Sequence, residues 1–296
     1  MSGPAKTAST RTKKPKLGQN FLVDRSAMQR IVDALGDIEQ STVMEIGPGQ
    51  GALTDFLAVR SGRLIAVEID RVLSARLRMS YARLPNVEVM EADILKTDIA
   101  TLIGKRPGPL RDLRPTEPIR AKVVGNLPYY ITSDILLALF AAHQNIEKIV
   151  IMVQLEVAER LAAKPGGSDY GLLSATAQLY GAVEKLFKLP PGAFSPAPKV
   201  ESAVVRITIA PRFAELDVDE AGFFEFLRLI FGQKRKTLYN NLREKYDGQI
   251  VKQVMANAKV RPDVRAEALS LDKVAQIYSG LKKDTGTENS RPVMGR

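Results

Sequence analysis

The chain has 296 residues with no cysteine and one histidine, and its 43 Lys and Arg against 33 Asp and Glu leave a net charge of +10. This composition excludes disulfides, thiolate nucleophiles, clusters of imidazole metal ligands and a zinc deaminase site built on a Cys-x-x-Cys pair. With 45% hydrophobic residues the length suits one large domain and a smaller one. The cationic excess fits a polyanionic partner. The lack of a signal-peptide core, or of any apolar run near the roughly 18 residues of a membrane span, makes a soluble cytoplasmic protein the expectation.

Residues 1–15 are small, polar and basic without apolar periodicity, and read as a disordered arm. Asp24 to Leu35 forms a helix with Met28, Ile31, Val32 and Leu35 on one face. Ser41-Thr42-Val43-Met44 then leads into Glu45-Ile46-Gly47-Pro48-Gly49-Gln50-Gly51 and on to Ala52-Leu53-Thr54-Asp55-Phe56-Leu57, whose apolar residues fall at helical spacing. The implied order is strand, glycine turn, helix. Glycines permit positive φ and remove the Cβ atoms that would keep a ligand off the backbone. Many tight strand-to-helix turns share this pattern, so its weight comes from Glu68. That residue closes the next apolar run, Leu64 to Val67, about 20 residues on, where a carboxylate can accept from both ribose hydroxyls. A third run, Val87 to Met90, ends at Glu91-Ala92-Asp93, which places Asp93 to accept from an adenine amine.

Residues 104–120 carry four prolines and four arginines and read as a surface insertion. Val123-Val124-Gly125 follows and ends in Asn126-Leu127-Pro128-Tyr129. The Asn126 side-chain oxygen and a backbone carbonyl can each accept one N–H of an exocyclic amine. Pro128 fixes its own φ and pushes Leu127 into an extended conformation, and Tyr129 offers a ring for stacking. A plain Asn-x-Pro turn closing a buried strand reads equally well from these four residues, and the glycine loop upstream decides for a purine clamp. His143, on an apolar segment, reads as a surface or packing residue. Lys148 to Val153 is a fifth strand, Glu156 to Ala163 a helix broken by Pro165-Gly166-Gly167-Ser168-Asp169, Tyr170 to Tyr180 another helix, and Ser202 to Ile209 a closing strand. Phe194-Ser195-Pro196-Ala197-Pro198-Lys199 reads as a rigid loop barred from a sheet interior, which keeps the Phe194 ring accessible. From Asp217 the pattern is helical, with Phe223, Phe226, Leu227 and Ile230 on one face, the basic cluster Lys234-Arg235-Lys236 one turn later, and Leu238 and Leu242 continuing the core face. Lys282 to Arg296 reads as a flexible tail.

Strands alternating with helices imply a mostly parallel sheet covered on both faces, with ligands at the carboxyl ends of its strands. Nicotinamide enzymes and methyltransferases both use such ends. The G-x-G-x-G spacing, the carboxylate after the third strand and Asn-Leu-Pro-Tyr after the fourth favour S-adenosylmethionine. Gly18-Gln19-Asn20-Phe21-Leu22, the glycine loop, Glu68, Asp93, Asn126 to Tyr129, Phe194 to Val200 and Phe231-Gly232-Gln233-Lys234-Arg235-Lys236-Thr237 also arrive in one order. In these segments the chain resembles the ribosomal RNA adenine dimethyltransferases of the small-subunit group, from Lys16 to about Gly280.

The resemblance implies an α/β fold, a Rossmann-like methyltransferase sheet with an antiparallel closing strand over residues 16–211. A small helical RNA-binding domain follows over 212–281, with a flexible tail at 282–296. It implies S-adenosylmethionine held by Asn20, Leu22, Gly47, Gly49, Gly51, Glu68, Asp93 and Asn126. The target adenine is gripped by Asn126, Leu127, Pro128 and Tyr129, with Phe194 stacked opposite Tyr129. Lys199, Lys234, Arg235 and Lys236 contact RNA, and no metal is involved. Lys234 stands where the family often has arginine, which keeps the charge but loses a bidentate phosphate fork. The implied reaction is N6,N6-dimethylation of two adjacent adenosines in a hairpin near the 3′ end of small-subunit RNA, by a monomer acting on that RNA or on an immature small subunit. The rival readings are the related large-subunit dimethyltransferase, an assembly factor whose methylation is secondary, and a nicotinamide dehydrogenase.

Overall fold

The apolar runs of the sequence become neighbouring strands of one sheet in the computed structural model, which describes residues 20–104 and 119–288, with side chains as far as 283. The expected basic arm and most of the 104–120 insertion lie outside the described residues. In chain order the first half comprises β1 (Phe21–Leu22), α1 (Arg25–Asp33), β2 (Thr42–Ile46), α2 (Thr54–Arg60), β3 (Arg63–Glu68), α3 (Arg71–Tyr81), β4 (Val87–Glu91), α4 (Ile99–Gly104), β5 (Ala121–Asn126), α5 (Thr132–Ala141) and β6 (Ile146–Gln154). The second half comprises α6 (Leu155–Ala162), α7 (Leu172–Tyr180), β7 (Gly181–Leu189), β8 (Phe194–Ser195), β9 (Ser202–Ile209), α8 (Phe213–Leu216), α9 (Glu220–Phe231), α10 (Leu238–Leu242), α11 (Gly248–Asn257) and α12 (Leu271–Glu288).

Seven strands pair in the order β4-β3-β2-β5-β6-β9-β7, and only β9 runs against the others. Central parallel strands covered on both faces are nearly continuous apolar runs; every residue of β3 is buried, as are Val43 to Ile46 of β2 and Ala121 to Gly125 of β5, with Glu45, Arg63, Glu68 and Lys122 the charged exceptions. The chain winds outward from β2 through β3 to β4, then returns to lay β5 on the other side of β2. The strand order therefore reverses between β2 and β5, and a crevice opens there at the carboxyl ends. Ile46 pairs with Val67 on one side and Gly125 on the other, which brings the ends of β2, β3 and β5 to one level.

The edge strand β7 is absent from the sequence reading because its alternation is broken: exposed Ala182, Glu184, Lys185 and Lys188 fall on either side of a register shift between Lys185 and Phe187. Phe223, Phe226, Leu227 and Ile230 of α9 are buried as their spacing predicts, and they join a continuous apolar cluster with Ile149, Ile207 and the inner face of α7. Regular structure also continues past Lys282, where a flexible tail was expected, because α12 runs to Glu288. Asp219, the N-cap of α9, accepts from the Tyr278 hydroxyl at 2.7 Å and from Lys282 Nζ at 2.5 Å, which ties that last stretch down. Among the described residues no helix is long and apolar enough to cross a membrane, and no group of three or more His, Asp or Glu could hold a metal ion.

Candidate active site

Three left-handed glycines turn the chain out of β2: Gly47 at φ +67°, Gly49 at +60° and Gly51 at +93°. A side chain at any of them would strain the backbone. Glu68, buried at the end of β3, holds the loop in place. Its Oε2 accepts the Gly49 N–H at 2.9 Å and its Oε1 accepts the Asp70 N–H at 2.9 Å. Each carboxylate oxygen keeps a lone pair for another donor. Behind the turn the Tyr81 hydroxyl donates to Asp55 at 2.6 Å and stands 2.9 Å from where a Cβ on Gly51 would lie.

Glu45 is a site residue that motif reading passes over. It is buried at the end of β2 and accepts the Thr54 hydroxyl at 2.7 Å. Burial pushes its carboxyl up to about 8, with Glu68 and Asp55 adding to the rise, so it is neutral at pH 7. The available signal was an acid inside an apolar strand two residues before the first glycine. Ile69 was missed in the same way: it is largely exposed and lines the cleft with Ala92 and Ile94, an apolar wall for a flat ring. Asp93 sits beside that wall, and its Oδ1 accepts the Leu95 N–H at 3.1 Å.

Across the cleft stands Asn126. Its Nδ2 donates to the Asn20 carbonyl at 2.8 Å, which leaves Oδ1 as the acceptor available to a ligand. The Leu127 side chain is buried and its N–H donates to the Met152 carbonyl at 3.2 Å. The Pro128 carbonyl is occupied by the Ile131 N–H at 3.2 Å and the Thr132 hydroxyl at 3.1 Å, whereas no described residue donates to the Leu127 carbonyl. The Tyr129 hydroxyl lies 3.0 Å from Ser202 Oγ, which fixes the ring. Asn20, Leu22, Gly47, Gly49, Glu68, Asp93 and Asn126 to Tyr129 all line one open cleft, together with Phe21, Tyr130 and Met152; Gly51 shapes the loop from behind without lining it.

Two expectations need correction. Phe194 is 3% exposed and does not line the cleft. Its loop does pair, as β8 against β1 with Leu22 opposite Phe194, and the ring is packed with Leu22, Val204 and the core residues of α1. The proline-rich stretch escapes a sheet interior, as expected, but a two-residue strand suffices to turn the ring inward. The second correction concerns Lys234, Arg235 and Lys236, which are exposed in the turn between α9 and α10 rather than on a helix. Asn241 Nδ2 takes the Ile230 carbonyl at 2.8 Å, and Thr237 caps the next helix, so α9 stops at Phe231. Lys234 Nζ donates to the Ser168 carbonyl at 2.7 Å and Lys236 pairs with Glu244 at 2.9 Å, while Arg235 makes no ion pair among the described residues. Lys199 is exposed. His143 is a packing residue, set against both the Tyr180 and Phe213 rings with Nδ1 2.9 Å from the Phe140 carbonyl.

The donor and acceptor set fits S-adenosylmethionine. Glu68 and Asp93 offer acceptors for ribose hydroxyls and an adenine amine, Ile69 and Ile94 an apolar face, and the glycine turn a wall without side chains. A glycine turn and an acid after the following strand also serve dinucleotide enzymes, but they leave the free acceptors of Asn126 and Leu127 across the crevice without purpose. With the single antiparallel strand between β6 and β7, the fold and cleft are those of a Rossmann-like methyltransferase. The chain belongs to the ribosomal RNA adenine dimethylase family, whose profile matches residues 10–283. It is 61% identical over 279 residues to the ribosomal RNA small subunit methyltransferase A of Koribacter versatilis, covering 94% of this chain and 98% of that one. A solved dimethyladenosine transferase from Plasmodium falciparum shares the fold at a TM-score of 0.72 and 22% identity, covering 90% of this chain and 98% of that one. The 23S rRNA methyltransferase ErmE superposes at 0.64 with 27% identity, over 89% of this chain and all of that one.

Proposed function

We propose that the protein transfers methyl groups from S-adenosylmethionine to N6 of two adjacent adenosines in a hairpin near the 3′ end of small-subunit ribosomal RNA, twice on each, as a cytoplasmic monomer acting during ribosome biogenesis. The observation that carries the reading is the orientation of Asn126. Its amide nitrogen is committed to the Asn20 carbonyl, which leaves its oxygen, with the unclaimed Leu127 carbonyl, as an acceptor among the residues lining the cleft. The small-subunit assignment rests on the 61% relative.

An adenine amine is a poor nucleophile because its lone pair is delocalised into the ring. With one N–H accepted by Asn126 Oδ1 and the other by the Leu127 carbonyl, the nitrogen can pyramidalise and aim its lone pair across the cleft. S-adenosylmethionine, held by Glu68, Asp93 and the glycine turn, supplies an electrophilic methyl group. Neither acceptor needs to be a strong base, since the proton leaves a nitrogen that has become cationic. Alignment of this kind can contribute as much as roughly 7 to 11 kcal/mol, so positioning dominates. Tyr129 stacks on the extruded base. Extrusion costs about a few kcal/mol and least in a loop, which favours a hairpin over continuous duplex.

The test is to incubate labelled S-adenosylmethionine with immature small subunits, large subunits and naked RNA, and to map dimethyladenosine. Label at two neighbouring adenosines of the small-subunit RNA is expected. Label confined to large subunits would overturn the assignment in favour of the resistance-type enzyme.

A further inference from the structure

The segment Asn20 to Leu22 touches both halves of the cleft. The Asn20 carbonyl holds the Asn126 amide, the next residue, Phe21, lays its ring on the glycine turn, and Leu22 pairs with Phe194. The fit of Phe21 is close: a Cβ on Gly49 would lie 2.9 Å from its Cε1 and 3.1 Å from its Cδ1. Gly49 is also the residue whose N–H is held by Glu68. The main-chain anchors of the segment, β1 on β8 and the Val23 N–H on the Ala193 carbonyl at 2.8 Å, come after Asn20, whose carbonyl must hold an amide in one of two nearly isosteric orientations.

We propose that Phe21 is a positioning residue for the methyl transfer: wedged on Gly49, it sets the Asn20 carbonyl where it orients the Asn126 amide with Oδ1 toward the acceptor amine. This rests on the reading of Asn126 as the amine acceptor. Its consequence is that the cofactor loop and the purine clamp are mechanically joined through one ring. With the ring removed, Asn20 is freed, the amide can turn over, and an NH2 group then meets the substrate amine donor to donor. The freed amide samples both orientations and is still productive in one of them, so activity falls without vanishing.

The experiment uses the full chain carrying isotope-labelled asparagine, with the Asn126 side-chain signal assigned through Asn126→Asp. In the wild type one proton of that NH2 group exchanges slowly, as a hydrogen-bonded proton does; in Phe21→Ala both exchange fast, before any cofactor is added. On immature small subunits kcat of Phe21→Ala falls about tenfold or more with KM for the RNA unchanged, and Phe21→Leu, which restores bulk over Gly49, lies between the two in both measurements. An unaltered Asn126 signal in Phe21→Ala, or an unaltered kcat per folded enzyme, overturns the proposal. If the alanine variant does not fold, Phe21→Leu carries the same two readouts. A wild type that dimethylates no adenosine sinks the underlying reading, whereas an active wild type matched by Phe21→Ala sinks this inference alone.

Discussion

The two carboxyls beneath the glycine turn are equally buried and differ in their partners. Glu68 spends its oxygens on two backbone N–H groups and still faces the cleft, whereas Glu45 has one hydroxyl partner and carries a proton at neutral pH. Folded Glu45 titrates near 8 against an ordinary 4.5. Between these values the native state therefore binds a proton that the unfolded chain has released. Stability falls as pH rises through that window and levels off above it. Replacing Glu45 by Gln keeps an acceptor for the Thr54 hydroxyl and removes the titration. Denaturant unfolding near pH 6 and near pH 9 should show Glu45→Gln gaining on the wild type at the higher pH; equal pH dependence in the two proteins would mean that Glu45 does not carry the proton.

At the scale of elements, the central parallel strands β2, β3 and β5 were legible because burial on both faces favours nearly continuous apolar runs, and the turn proposed to grip the amine because it directly follows one. Gly125 shows how tightly that turn is placed. A Cβ there would lie 2.6 Å from the Ile46 carbonyl and 3.3 Å from the Leu127 side chain, so only glycine lets β5 approach β2. Gly125→Ala should cost roughly 1 to 3 kcal/mol by overpacking, and kcat should fall by more than stability, since Asn126 is the next residue; urea unfolding and turnover on small subunits give both numbers. What escaped the sequence was set by pairing rather than by pattern. Edge strand β7 hides its alternation behind a bulge, Phe194 is drawn inward by two residues of pairing with β1, and the helix through Lys234 is cut short by Asn241 capping the Ile230 carbonyl. The orientation of Asn126 depends on a carbonyl 106 residues away, which no local motif encodes.

For the whole molecule, the net charge of +10 supports attraction to RNA without saying where it docks. Internal partners sort the basic turn: Lys234 and Lys236 are engaged within the protein, and Arg235 is the cation left facing outward. Removing one phosphate contact should lower the slope of log affinity against log salt by about 0.7 to 0.9. Arg235→Ala is expected to give that full decrement, and Lys234→Ala and Lys236→Ala less; an unchanged slope in all three would take this turn out of the RNA interface. The central claim, that Asn126 and the Leu127 carbonyl together grip the adenine amine, meets its most direct test in Asn126→Ala. S-adenosylmethionine affinity is measured by calorimetry and dimethyladenosine is mapped on immature small subunits. The account predicts near-wild-type cofactor binding with dimethylation abolished, and full dimethylation by that variant would contradict it.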